Sequence, residues 1–143
     1  MVLEIHKPNT PKQERSLKRF ESALETADFI LKEQNIHSVT LKEIAIRSGI
    51  KRSSLYKFFP SNMAILYALS EIHLNKLLKM VNANTADVNF KNSMEFTMLI
   101  IDLLTIYLNE HKGSAIMFLS NDLPTKLEIT LHSNMLFSSE MLN

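Results

Sequence analysis

The sequence predicts an all-α chain: an N-terminal three-helix domain, a connector helix, and a short helical C-terminal part. Three observations carry this reading. Apolar residues recur at steps of three and four along most of the chain, the period of a helix with one buried face. Only two glycines occur, Gly49 and Gly113, each where a helical reading needs a break. Thr40 and Thr125 stand in front of apolar-periodic runs as N-caps.

Residues 1–14 contain Lys7, Pro8, Pro11 and Lys12 and keep no sustained period, so a mobile arm is expected, with Lys12 and Arg15 offering cations to phosphate or a minor groove. From Ser16 to Gln34, Phe20, Ala23, Leu24, Ala27, Ile30 and Leu31 form one apolar stripe on a supporting helix. Asn35 tolerates left-handed geometry and opens a turn through Ile36, His37 and Ser38.

Thr40 to Phe59 then reads as two short helices around a tight turn. Thr40 and Glu43 have the spacing of a capping box, so a helix begins at Leu41, with Ile44 and Ala45 facing inward. Ser48-Gly49 ends it, because glycine at a helix C-terminus enters the left-handed region without steric cost. Ile50, Leu55, Phe58 and Phe59 form a second apolar seam, and Pro60 disfavours helical geometry in the residue before it. At about 100° per residue, the side opposite Leu55 and Phe59 carries Ser53 and Lys57, with Ser54 and Tyr56 on its flanks and Arg52 in the first turn. A helix-turn-helix presents a polar, basic surface of this kind to the major groove: its leading residues reach base edges while hydroxyls and cations hold phosphates. Charge agrees. Residues 1–60 hold 11 Lys and Arg against 7 Asp and Glu, whereas residues 61–143 hold 5 against 8.

Over Arg15 to Leu69 the residues resemble the DNA-binding domain of the TetR/AcrR family of bacterial transcription regulators. The resemblance is carried by Val39-Thr40-Leu41-Lys42-Glu43-Ile44-Ala45, by Ser48-Gly49-Ile50, and by Ser54-Leu55-Tyr56-Lys57-Phe58-Phe59-Pro60-Ser61. It implies that Thr40 and Tyr56 contact phosphates and that the helix from Lys51 to Phe58 reads the groove. Lys51 stands where such proteins often place a Ser or Thr cap, and Asn62 replaces a lysine that often grips phosphate. The expected DNA contacts are therefore Thr40, Lys51, Arg52, Ser53, Ser54, Tyr56, Lys57 and Asn62, on a helix-turn-helix domain spanning 15–60.

Residues 61–81 predict a connector helix whose first turns are apolar almost all round, as suits a helix between two packed bodies; the resemblance implies that it transmits ligand-driven shifts. Residues 82–91 lose the period and are expected to be a loop. Met94 to Leu108 is almost wholly apolar but too short and too charged for a membrane span, which needs about 20 apolar residues, and is expected to be a buried core helix. Gly113 is expected to break it. Ala115 to Leu119 forms a short apolar segment, and Thr125 caps a last helix with Leu127, Leu131, Met135 and Leu136 inward. Residues 92–143 are thus expected to be a partial effector-binding and dimerisation domain, smaller than the family's usual one. Either the chain is truncated there or it pairs through Met94 to Leu108 and the C-terminal segment.

No catalytic signature, cofactor motif or metal-ligand spacing is present: Glu110 and His111 are adjacent, and the histidines at 6, 37, 73, 111 and 132 are scattered. Cysteine is absent, which excludes disulfides, and no apolar leader follows the N-terminus, so the cytoplasm is the expected compartment. Met94, Met98, Tyr107, His111, Met117 and Phe118 combine soft apolar groups with polar tips and are the candidate lining of an effector pocket. The expected function is a ligand-responsive repressor that binds double-stranded DNA as a homodimer on a palindromic operator, with a small-molecule effector and no membrane partner. The alternatives are a protein-binding adaptor and a DNA-organising protein that keep the fold without effector control.

Overall fold

The computed structural model describes residues 7–120. The helix expected after Thr125, with the rest of 121–143, lies outside the described residues. Within them the chain forms α1 (Glu14–Glu33), a 3₁₀ turn (Ile36–Ser38), α2 (Leu41–Ser48), α3 (Arg52–Phe58), α4 (Asn62–Thr85), α5 (Ser93–Glu110) and α6 (Lys112–Leu119), and no strand. The all-α expectation holds.

One core serves α1 to α4 and α6. Phe20, Ala23, Leu24, Ala27, Ile30 and Leu31 of α1, the predicted stripe, meet Leu41 and Ile44 of α2, Leu55 and Phe58 of α3, and Met117 of α6. The Phe20 ring stacks on Phe59 at 4.9 Å and meets Phe58 edge-on at 5.9 Å, so three aromatic rings lock the end of α3 onto α1. Burying side chains of this size stabilises by about 1.5–3 kcal/mol each, far more than a seven-residue helix gains from its own hydrogen bonds. In α4 every residue from Ala64 to Ser70 is buried, which explains why its first turns are apolar on all sides.

Local geometry corrects four expectations. Asn35 is extended, with φ −161°, and its side chain accepts the Ser38 N–H; a cap rather than a left-handed residue starts the turn. Helix α4 runs on to Thr85 into the expected loop, because Asn84 Nδ2 and Thr85 Oγ1 donate to the carbonyls of Met80 and Val81 (2.7 and 2.9 Å) and so remain compatible with the helix. Gly113 does not end a helix. The break falls at His111, and Gly113 sits buried in the first turn of α6, where a Cβ would stand 2.9 Å from Asp28 Oδ1 and 3.0 Å from both His73 Cε1 and Lys32 Cε; close approach is what requires glycine.

The fourth correction concerns α5. It is a helix, capped by Asn92 Oδ1 accepting the Glu95 N–H at 2.9 Å, but it is not a buried core helix. Tyr107 is its one buried residue, while Met94 (66% exposed), Met98 (60%) and Ile101 (55%) share a face at positions i, i+4 and i+7 that no described residue covers. Apolar composition states a need for burial; it does not supply the partner. No helix among the described residues is long and apolar enough to cross a membrane.

Candidate nucleic-acid interface

The α2–α3 unit is set by three local devices. Thr40 Oγ1 accepts the Glu43 N–H at 3.2 Å, so the helix starts as predicted, but the reciprocal half of the capping box is missing. Glu43 instead accepts from Arg47 Nε at 2.7 Å, and Arg47 also pairs with Glu33 of α1, which pins α2 to its support. Hydrogen bonds to Glu43 and then Glu33 push the Arg47 pKa upward. At the turn, Gly49 has φ 71° and caps α2, and Ser48 Oγ donates to Ile44 O (2.6 Å) while accepting the Ile50 N–H (3.2 Å). A side chain at Gly49 would find room but not a comfortable backbone.

Helix α3 is then presented with its apolar side down. Leu55, Phe58 and Phe59 are buried; Arg52, Ser53, Tyr56 and Lys57 are exposed, and Ser54 lies at the half-buried edge. Tyr56 leaves 47% of its surface free, with the Arg52 guanidinium 5.9 Å above its ring. Lys51 occupies the N-cap position and supplies no side-chain cap, as its residue type predicts; neither Ser53 nor Ser54 takes over. α3 carries no acidic residue, and Lys51, Arg52 and Lys57 have no carboxylate partner among the described residues. Three uncompensated cations, two hydroxyls and a phenol thus share one convex helix surface, a set that can bind phosphates and reach base edges.

Two expected contacts carry a second duty. Thr40 uses its oxygen as acceptor inside the cap, leaving the hydroxyl proton to donate outward. Asn62 Oδ1 accepts the Leu41 N–H at 2.9 Å across 21 positions, so it joins the start of α4 to the start of α2, with its amide N–H groups left over. Sequence reasoning missed Asn9 altogether: its side chain donates to Lys57 O at 3.2 Å, and the only hint was an Asn within a proline-rich segment.

The six residues expected to line an effector pocket do not converge. Met117 is fully buried in the main core, Phe118 packs against that core, and Met94 and Met98 are exposed. Tyr107 and His111 are together, their rings stacked at 4.0 Å, in a groove of about 620 Å³ between α4 and α5 that Lys76, Lys79, Met80, Leu103 and Ile106 also line. His111 Nδ1 donates to Tyr107 O at 2.9 Å, and the buried Tyr107 hydroxyl has no hydrogen-bond partner among the described residues.

Comparison with known proteins bears on the N-terminal part alone. The family model described as bacterial regulatory proteins, tetR family, matches residues 23–69, which span the second half of α1, α2, α3 and the first turns of α4. No curated protein and no solved structure gives a significant match.

Proposed function

Residues 23–69 carry the DNA-binding domain of the TetR family of bacterial regulatory proteins, which makes the chain a DNA-binding transcription regulator, and from that premise we propose that it is a ligand-released repressor acting in the cytoplasm. In this reading two copies occupy a palindromic operator, each placing α3 in a major groove with Ser53 and Ser54 toward base edges. Thr40, Lys51, Arg52, Tyr56, Lys57 and the free amide of Asn62 hold phosphates. A small-molecule effector entering the groove beside Tyr107 changes the spacing of the two α3 helices and releases the DNA.

The observation that carries the proposal is the division of α3 into a buried Leu55–Phe58–Phe59 side and an opposite exposed side of hydroxyls and cations, the cations having no carboxylate partner among the described residues. A helix of seven residues contacts few base pairs, so specific binding calls for two, with half-sites about 34–36 Å apart. The exposed Met94–Met98–Ile101 face supports pairing, since an apolar helix face in water is a candidate interface. The Tyr107 hydroxyl, buried without a hydrogen-bond partner among the described residues at a cost of about 1–3 kcal/mol, supports a ligand that would bond to it.

Selection of bound sequences from random duplex DNA tests this reading. Two inverted copies of one short sequence, about one helical turn apart, are expected. Enrichment of a single unpaired half-site would remove the dimeric operator, and no enrichment would leave only an adaptor or DNA-organising role.

A further inference from the structure

The segment ahead of α1 is fastened to the far end of α3. Asn9 donates its backbone N–H to Phe58 O at 2.7 Å and its side-chain Nδ2 to Lys57 O at 3.2 Å. Both acceptors are in the last turn of α3, where helix carbonyls lack partners within the helix. Asn9 is thus a C-terminal cap delivered from 48 positions away. Lys7 stands two positions before the anchor and Lys12 three after it, and Arg15 lies in the first turn of α1; all three are exposed. None has an ion-pair partner among the described residues, and Glu14, the neighbour of Arg15 in sequence, is held by Lys18 at 2.9 Å.

We infer that residues 7–15 form a second DNA contact, with Lys7, Lys12 and Arg15 binding phosphates on the strand that borders the groove occupied by α3. The inference rests on α3 being the groove-bound helix. Its physical basis is that a cation-bearing segment free in solution loses conformational entropy when it settles on DNA, at about 1–2 kcal/mol per residue for the backbone. Two hydrogen bonds at Asn9 hold part of the segment beside α3 beforehand, and that smaller ordering loss is returned as affinity. The anchor also couples the two surfaces, because its acceptors are backbone atoms of the residues that end the groove-facing helix.

The test is a salt titration of binding to a fluorescent duplex, with the full chain. Lys7→Ala/Lys12→Ala is compared with Lys91→Ala, which removes an exposed cation from the turn ahead of α5, and with Asn9→Pro, which removes both anchoring donors and no charge. Each lost phosphate contact lowers the slope of log affinity against log salt by about 0.9. The double variant should therefore lose about 1.8 from the slope for each bound copy, and Lys91→Ala nothing. Asn9→Pro should weaken binding with its cations intact. An unchanged slope in the double variant, or a change no greater per charge than that of Lys91→Ala, overturns the arm contact while leaving α3 its role. Absence of any salt-sensitive complex with the unaltered chain overturns both.

Discussion

Asp28 Oδ1 lies 2.8 Å from His73 Nε2, joining the middle of α1 to the middle of α4 across a junction in which His73 is only 4% exposed. The carboxylate fixes the ring: Nε2 must carry a proton to donate to it, so in the neutral ring Nδ1 accepts from Ser114 Oγ, 2.7 Å away on α6. Lys32 Nζ completes the array at 2.6 Å from Asp28 Oδ2. Ser114 is fully buried, so the array's place is between helices, where it ties the supporting helix of the DNA-binding domain to α4 and α6.

This junction gives stability a defined dependence on pH. Burial pushes the Asp28 carboxyl up, but the hydrogen bonds and charges of His73 and Lys32 outweigh it and hold the group at about 2 instead of 3.8. A carboxyl that titrates lower in the folded chain than in the unfolded one stabilises fully above the unfolded value and loses that contribution as pH falls through the folded one. Asp28→Asn should lower unfolding free energy by about 1–2 kcal/mol at pH 7 and flatten the decline between pH 4 and 2. Urea unfolding of both proteins across that interval measures it; parallel curves would contradict the assignment.

Gly113→Ala tests the same junction sterically. In an open helix alanine is better than glycine by about 1 kcal/mol. Here the added methyl group meets Asp28 Oδ1, His73 Cε1 and Lys32 Cε at 2.9–3.0 Å, and crowding in a packed site costs about 1–3 kcal/mol. Lys32 can yield, whereas the buried His73 ring has little room, so the net expectation is a destabilisation of about 1 kcal/mol, read as a lower thermal midpoint. A raised midpoint would show the junction to be looser than its distances indicate.

On α3 the two proposed kinds of contact separate by measurement. Tyr56→Phe keeps the ring and removes one phosphate-directed hydroxyl, so DNA affinity should fall several-fold with thermal stability unchanged. Lys57→Ala should reduce the salt slope by about 1 for each bound copy. Thr40→Ala differs, because Oγ1 caps α2: it should cost about 1 kcal/mol of stability in addition to affinity, and a loss of affinity alone would mean that the cap bond is dispensable.

What could be read from the sequence follows the range of each interaction. The α1 stripe, the Thr40 cap, the Gly49 turn and the outward set on α3 are written within a few residues of one another, and their spacing announces them. Asn9 on α3, Asn62 on Leu41 and the Asp28–His73–Ser114 array join positions 21 to 48 apart, and no local pattern marks them. Gly113 stands out in the sequence but reads as a helix break, since sequence alone cannot tell a glycine needed for its backbone from one needed for its missing side chain. In α5 the apolar run predicts a buried core helix, but composition says only that the apolar residues want cover, not what covers them.

That cover is the last matter for experiment. Met94, Met98 and Ile101 lie on one exposed face of α5, and isolated apolar residues on a surface are ordinary whereas an aligned row is a candidate interface. If two copies pair through it, Met98→Glu/Ile101→Glu places like charges against their symmetry mates, which desolvation and repulsion both oppose. Sedimentation should then find a dimer for the unaltered chain and a monomer for the variant, with helical content by circular dichroism unchanged because both positions already face water. Operator binding should weaken and lose its steep dependence on protein concentration, since the two half-sites are then filled independently. A variant that remains dimeric would move the interface away from this face, and an unaltered chain that sediments as a monomer while saturating a palindromic site would mean that the DNA alone brings the two copies together.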